Sequence, residues 1–294
     1  MYDVIIIGKG PAGISCAIYT TRANLNTLVI GKSDSMLLKA DKIENYYGFE
    51  NPVGGKELLE TGVKQALRLG TQVIEDEVIG IENIDKFKVI CVNGEYEAKT
   101  VLLATGAPVV RVPIKNLELF EGSGISYCTT CDGFFYRNKK VGVLGYTDYA
   151  IHEANELSAF TKDITLYTNN MPLNISENLK ESLSRFKVNT RKIKELEGQN
   201  RIENIVFEDG EKESIQGLFI AYGSASSSSF ALKMGIAMEG KNIVVNNKME
   251  TNIPGLFAAG DCTGIFKQIS VAVGQGALAS RQIIDYVRKT GKNG

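Results

Sequence analysis

Cys128-Thr129-Thr130-Cys131-Asp132-Gly133 is the stretch whose residue types and spacing say most about chemistry. Two thiols two residues apart can share a metal with further ligands, or cycle between dithiol and disulfide. A structural zinc site needs two more thiolates or imidazoles at similar spacing. The other cysteines, Cys16, Cys91 and Cys262, are isolated, and His152 is the single histidine. Redox chemistry is therefore expected here and no metal. A shared environment can lower the pKa of one thiol of such a pair. Asp132 accepts hydrogen bonds when ionised and donates a proton when neutral, which suits a group that protonates a leaving thiolate. The single histidine also argues against Ser-His-Asp and Cys-His machinery. Cys16, Cys91 and Cys262 read as buried, inert side chains.

A second candidate site opens the chain. Gly8-Lys9-Gly10-Pro11-Ala12-Gly13 carries the Gly-x-Gly-x-x-Gly spacing. In a dinucleotide turn the first glycine permits a tight bend and the second lets backbone approach a pyrophosphate. The third lets helix and strand pack closely. Pro11 suits the first turn of the following helix, where one N–H has no partner within the helix. The helix N-terminus then offers amide donors and positive dipole to the phosphates. The acidic residue that normally ends the next strand and binds the ribose is missing, because Ile30-Gly31-Lys32 stands there. Adenosine contacts are expected from backbone or from Ser33.

These groups need elements to hold them. Asp3-Val4-Ile5-Ile6-Ile7 is a continuous apolar run, as in a buried parallel strand. A helix follows the glycine turn, and Thr27 to Ile30 forms the next strand, completing a βαβ unit. Asn93-Gly94 marks a hairpin between Phe87–Val92 and Tyr96–Ala98. Val101-Leu102-Leu103-Ala104 is a further buried strand that ends in Thr105-Gly106. A second strand, turn and helix begin at Lys140, with Val141–Leu144 as strand and Ile164–Tyr167 as its partner. Another hairpin surrounds Glu208-Asp209-Gly210. Gly255–Asp261 is a strand entering a polar turn, and a last helix runs from about Val271. The expected fold is α/β, with two tandem Rossmann-like, three-layer domains. The closing strand and helix are too small to fold alone and should return to the first domain. This makes residues 1–115 and 246–294 one discontinuous domain and 116–245 the other.

Composition sets the outer bounds. The chain has 294 residues, a formal net charge of -1 and globular apolar and charged fractions. That balance gives no case for nucleic acid or an anionic membrane as partner. No apolar run reaches bilayer length, and Met1 runs straight into a strand segment, which reads against a signal peptide. Five cysteines, an odd number, read against a fully paired secreted framework, so a cytoplasmic enzyme is expected.

Several stretches together resemble the low-molecular-weight thioredoxin reductase family. They are Gly8–Gly13, Ile43-Glu44-Asn45-Tyr46, Ala104-Thr105-Gly106, Cys128–Gly133 with Phe134-Phe135, and Thr251 to Asp261 with Lys267-Gln268. The resemblance implies an FAD domain interrupted by a smaller pyridine-nucleotide domain that carries the disulfide, in a homodimer. It implies an FAD site built from Gly8, Gly10, Pro11, Ala12, Gly13, Asn45, Thr105, Gly106, Gly260, Asp261, Lys267, Gln268 and Ile269, with Asp261 on the ribityl chain. Lys267 stands where the family usually has arginine. The resemblance further implies that Cys131 faces the flavin, that Cys128 attacks the partner disulfide of thioredoxin, and that Asp132 handles protons. It implies rotation of the small domain between these two encounters.

The second Rossmann turn departs from that pattern. It reads Gly145-Tyr146-Thr147-Asp148-Tyr149-Ala150, with Thr147 in place of the middle glycine. The strand after it runs into Thr168-Asn169-Asn170-Met171-Pro172, which offers neither arginine for NADP nor an acid for NAD. Two independent defects point to a domain that keeps the fold without the ligand. The expected branch is then the ferredoxin-dependent flavin thioredoxin reductases. Plant-type ferredoxins lie near about −400 mV and thioredoxin near about −270 mV. The gap of about 130 mV is worth about 6 kcal/mol for two electrons. From Cys262 onward the charged residues are Lys267, Arg281, Asp285, Arg288, Lys289 and Lys292, a basic bias that fits an acidic donor or a dipole-matched helix end. Other readings keep the same dithiol. They are a deazaflavin or flavoprotein donor, an NAD(P)H-dependent reductase with a divergent site, and a non-catalytic flavoprotein redox sensor.

Overall fold

The structure is a computed structural model and describes residues 1–33, 35–107 and 112–290. It divides into two compact units, Met1–Pro108 with Ser226–Gly294, and Val109–Ala225.

The first unit begins with β1 (Tyr2–Ile7), α1 (Pro11–Arg22), β2 (Thr27–Ile30), α2 (Gly55–Arg68) and β3 (Gln72–Ile74). β4 (Val78–Asn83), β5 (Phe87–Cys91) and β6 (Glu95–Leu103) follow. The sheet order is β3-β2-β1-β6-β5-β4. β1 pairs in parallel with β2 and β6, and its last four residues are buried, as its unbroken apolar run requires. The sequence suggests two strands between residues 96 and 104, but β6 runs without interruption. Its first half pairs antiparallel with β5 and its second half pairs in parallel with a strand from the end of the chain.

The second unit contains β7 (Ile125–Ser126), α3 (Thr129–Asp132), β8 (Val141–Leu144), α4 (Asp148–Leu157) and β9 (Ile164–Tyr167). It continues with α5 (Lys180–Leu183), β10 (Lys187–Asn189), β11 (Ile193–Glu197), β12 (Asn204–Phe207), β13 (Lys212–Ser214) and β14 (Gly217–Ile220). β10-β9-β8-β14-β7 form a parallel sheet, and β11-β12-β13 form a small antiparallel one. Ile114, Leu117 and Phe120 join Leu144, Tyr167, Phe207 and Leu218 in its core.

The chain then returns to the first unit through α6 (Ser227–Met234), β15 (Met238–Glu239), β16 (Asn242–Ile243), β17 (Leu256–Ala258) and α7 (Ile269–Thr290). β17 is the strand that pairs with the second half of β6. α7 packs closely on α1 because small residues face each other. A Cβ on Gly276 would lie 2.1 Å from the Ala12 carbonyl oxygen. Ala272, Ala279, Ile283 and Val287 of α7 share a core with Ile14, Cys16 and Ala17 of α1.

The units divide at 108/109 and 225/226, where the sequence suggests 115/116 and 245/246. Side-chain packing explains the difference. Ile114 already belongs to the second unit's core, and α6 packs on β4 of the first unit. No helix among the described residues is long and apolar enough to cross a membrane.

Candidate functional site: a redox turn and two dinucleotide turns

β7 delivers the chain into the short helix α3, and Cys128 is its N-cap. Cys128 and Cys131 form a disulfide with their Cα atoms 5.3 Å apart. The Cys131 N–H also points at Cys128 Sγ, 3.1 Å away. The two sulfurs differ in access, since Cys128 is buried at 3% exposure whereas Cys131 is exposed. The cysteine that the resemblance assigns to partner attack is thus the covered one in the oxidised chain.

Neighbouring side chains hold this turn from below. The Thr129 hydroxyl donates to Glu153 Oε2 of α4 at 2.7 Å, and both residues are buried. His152 Nε2 lies 3.0 Å from Glu156 Oε1 one turn further along α4. Ser126 of β7 donates to Asp132 Oδ2 at 2.7 Å and accepts the Cys128 N–H at 3.1 Å. Neither Ser126 nor Glu153 carries a signal in the sequence, because each matters only through a residue it meets in space. Phe134 and Phe135 follow the turn as exposed aromatics, with ring centroids 6.1 Å apart.

The first dinucleotide turn is built as its glycines predict. Gly8 sits at φ +116°, and a Cβ there would lie 2.1 Å from the Ala104 carbonyl oxygen. A Cβ on Gly13 would lie 1.9 Å from the Gly8 carbonyl oxygen. Gly10 is different, because a Cβ there meets nothing within 4 Å. Gly10 caps α1 without a side-chain hydrogen bond, and Pro11 occupies the first helical position. The helix therefore presents its first amides to open space. The Thr105 hydroxyl, at the end of β6, is buried with no hydrogen-bond partner. A glycine turn with room at Gly10 and a buried Thr105 hydroxyl without a partner are what a phosphate-bearing ligand would satisfy, so these residues fit FAD.

Other expected flavin residues converge in the same unit. Asn45 donates to the Gln268 side chain at 2.9 Å across 223 residues of sequence. Asp261 follows β17 and Gly260. Burial pushes the Asp261 carboxyl above the usual carboxylate range, and the Lys267 ammonium pulls it part of the way back. The Gly260 N–H donates to Gln275 of α7 at 2.7 Å, which fixes the turn. Ile269 opens α7, and Gly106 lies at φ +79° after Thr105. A carboxylate from the neighbouring strand lies beside the end of β2. Glu75, just after β3, accepts from Ser33 at 3.0 Å and from Lys9 at 3.2 Å. Those two contacts, Ser33 first, hold the Glu75 carboxyl below its usual range. Ser33, the expected adenosine contact, is thereby placed beside a carboxylate that sequence reading along β2 misses.

Residues 2–276 match the family of pyridine nucleotide-disulphide oxidoreductases. Thioredoxin reductase of Aquifex aeolicus (strain VF5) is 36% identical over 297 residues, covering 95% of this chain and 91% of the relative. The chain belongs to the low-molecular-weight thioredoxin reductase family. Among solved structures, the atypical thioredoxin reductase TRi from Desulfovibrio vulgaris Hildenborough is 42% identical, with a TM-score of 0.94 over 98% of this chain and 99% of that one. A ferredoxin-flavin thioredoxin reductase from Clostridium acetobutylicum is 31% identical, with a TM-score of 0.74 over 98% of each chain.

Within this family of thioredoxin reductases the second turn of the present chain is filled from inside. The Thr147 hydroxyl, in the position of the middle glycine, donates to the Gly223 carbonyl at 2.5 Å. Tyr146 stacks edge-on against Tyr222 with centroids 5.1 Å apart. Thr147 forms a parallel bridge with Asn174, whose N–H donates to Tyr146 at 2.8 Å. Asp148 opens α4 and is buried at 7% exposure. Its carboxylate accepts from the Ser176 N–H at 2.8 Å and from the Ser176 hydroxyl. The helix end that would attract a pyrophosphate already carries a fixed carboxylate. Beyond β9, Asn169 accepts from the Ile193 N–H at 2.8 Å and is committed to the fold. Arg191 lies 3.7 Å over the Phe207 ring, so its guanidinium is also engaged.

Proposed function

We propose that this chain is an FAD-dependent thioredoxin reductase that takes electrons from reduced ferredoxin and uses no NAD(P)H. Electrons would pass through Cys128 and Cys131 to the disulfide of oxidised thioredoxin. The observation that carries the donor assignment is the bonding of Asp148 by Ser176 at the start of α4. A nucleotide pyrophosphate would have to displace that segment and then face a buried carboxylate. The name of the Clostridium acetobutylicum relative supports the same donor. The enzyme would work as a homodimer, which rests on the family resemblance, and in the cytoplasm, which rests on the cysteine usage.

FAD, when bound, supplies the exchange between one-electron and two-electron transfer. The Gly8–Gly13 cradle and Thr105 would hold its phosphates. Asp261 would accept from the ribityl chain, and Asn45, Lys267 and Gln268 would line the site. Cys131 would be the sulfur on the flavin side, and Cys128 the one that attacks thioredoxin. Asp132 would deliver a proton to the departing thiolate. Because Cys128 is the more buried sulfur, the attack on thioredoxin requires that it first be uncovered.

The test is anaerobic bleaching of the flavin absorbance by reduced ferredoxin, NADPH and NADH in parallel, followed by addition of thioredoxin. Bleaching by ferredoxin alone, with reduction of thioredoxin, is expected. Rapid bleaching by NADPH or NADH would return the chain to the nucleotide-dependent reductases. Bleaching without turnover of thioredoxin would make it a sensor.

A further inference from the structure

Resting on the role proposed for Asp132, we propose that Ser126 is a positioning residue that holds the Asp132 carboxylate against the backbone of Cys128. Ser126 is the second residue of β7 and is 3% exposed. Its strand is fixed in the sheet, with Ser126 opposite Phe219 of β14. Its hydroxyl lies 2.7 Å from Asp132 Oδ2 and 3.3 Å from the Cys128 carbonyl. A hydroxyl has one proton, and the shorter bond to a charged acceptor takes it. The same oxygen accepts the Cys128 N–H at 3.1 Å. Asp132 is held at its other end too, since its own N–H donates to the Cys128 carbonyl at 3.1 Å.

The arrangement bears on the exchange step. Cys128 gives its thiol proton to the Asp132 carboxylate, and the resulting thiolate attacks the partner disulfide. A mixed disulfide forms, and one partner sulfur leaves as a thiolate that takes the Asp132 proton. The Cys131 thiolate then attacks Cys128 Sγ, the 128–131 disulfide forms and the second partner sulfur leaves. Two electrons pass from the dithiol to the partner. The two protons of the dithiol end on the partner's two thiols, one of them by way of Asp132. Asp132 sits at the end of a four-residue helix and is only partly covered. Without Ser126 its carboxyl can rotate away from the leaving sulfur.

The experiment uses the flavin-loaded enzyme reduced photochemically, mixed with oxidised thioredoxin in single turnover, so no donor protein takes part. Ser126→Ala is expected to slow the rate at saturating thioredoxin about tenfold, as loss of one hydrogen bond to a charged group would. The half-saturating concentration should stay within about twofold. Asp132→Asn should cost at least as much. The double variant should equal Asp132→Asn alone, because Ser126 acts only through that carboxyl. Ser126→Thr keeps the hydroxyl and should stay within about threefold of the natural chain. It also serves if the alanine chain fails to fold. Multiplicative losses in the double variant, or an unimpaired Ser126→Ala, would overturn the proposal while leaving Asp132 in its role. An unimpaired Asp132→Asn would remove that role and the proposal with it.

Discussion

Asp148 and Ser176 are 28 residues apart in sequence, yet Ser176 bonds the Asp148 carboxylate with both its N–H and its hydroxyl. The contact lies at the N-terminal turn of α4, where a Rossmann domain normally receives a pyrophosphate. A fixed carboxylate at that positive helix end opposes the approach of an external anion.

If this contact is structural, Asp148→Asn should cost about 1.5–3 kcal/mol, the value of a hydrogen bond to a charged group. Denaturant unfolding measures it. The variant should still bind neither NADPH nor NADH by calorimetry, because the Thr147 bond to Gly223 and the Thr147–Asn174 bridge remain. Tight NADPH binding by the natural chain would refute the self-filled turn.

The cysteines should separate by access. Cys128→Ser and Cys131→Ser should each abolish thioredoxin reduction while FAD stays bound. In the reduced natural chain, an alkylating reagent should modify the exposed Cys131 first and Cys128 next, as the short helix that carries both opens. Cys16, Cys91 and Cys262 are buried. Burial pushes the Cys91 and Cys262 thiols up to about 12, so these three should react only on unfolding. Mass spectrometry of the alkylated chain counts the adducts. A third rapid adduct under native conditions would contradict the structural role.

Thr105→Val should act with opposite signs on two properties. It removes a buried hydroxyl that has no partner, so the flavin-free chain should be unchanged or up to about 1 kcal/mol more stable. The flavin dissociation constant should rise about tenfold if that hydroxyl serves the cofactor. Thermal unfolding of the apoprotein and a fluorescence titration with FAD give the two numbers. Unchanged FAD affinity would take Thr105 out of the site.

Asp261 predicts a pH dependence in the flavin-free chain. Burial raises its carboxyl in the folded state, with Lys267 opposing. A raised carboxyl binds more protons folded than unfolded. Its contribution is therefore full below the ordinary value of 3.8 and is lost as pH rises through the raised folded value. Asp261→Asn removes that loss. The stability gain of the variant should grow with rising pH across this window and then level off, as read from denaturant midpoints. A gain that shrinks with rising pH would contradict the assigned sign.

The sequence by itself determined the features governed by short-range geometry. The Cys-x-x-Cys spacing lets two sulfurs meet within one turn. Gly8 and Gly13 are legible because a side chain there would strike the Ala104 and Gly8 carbonyls. The β1 run and the Asn93-Gly94 hairpin are likewise local. The defect at Thr147 is visible as one wrong residue in a turn of fixed length. Only the tertiary structure decided what fills the space around these turns. It brings Glu75 beside Ser33 from a neighbouring strand, Asn45 to Gln268 across the first unit, and Glu153 under Thr129. It sets Ser126 against Asp132 and Ser176 against Asp148. It also gives α6 to the first unit, because that helix packs on β4. Periodicity and spacing record what each residue does to its own backbone. A hydrogen bond between distant segments depends on how whole elements pack, and no local pattern encodes that.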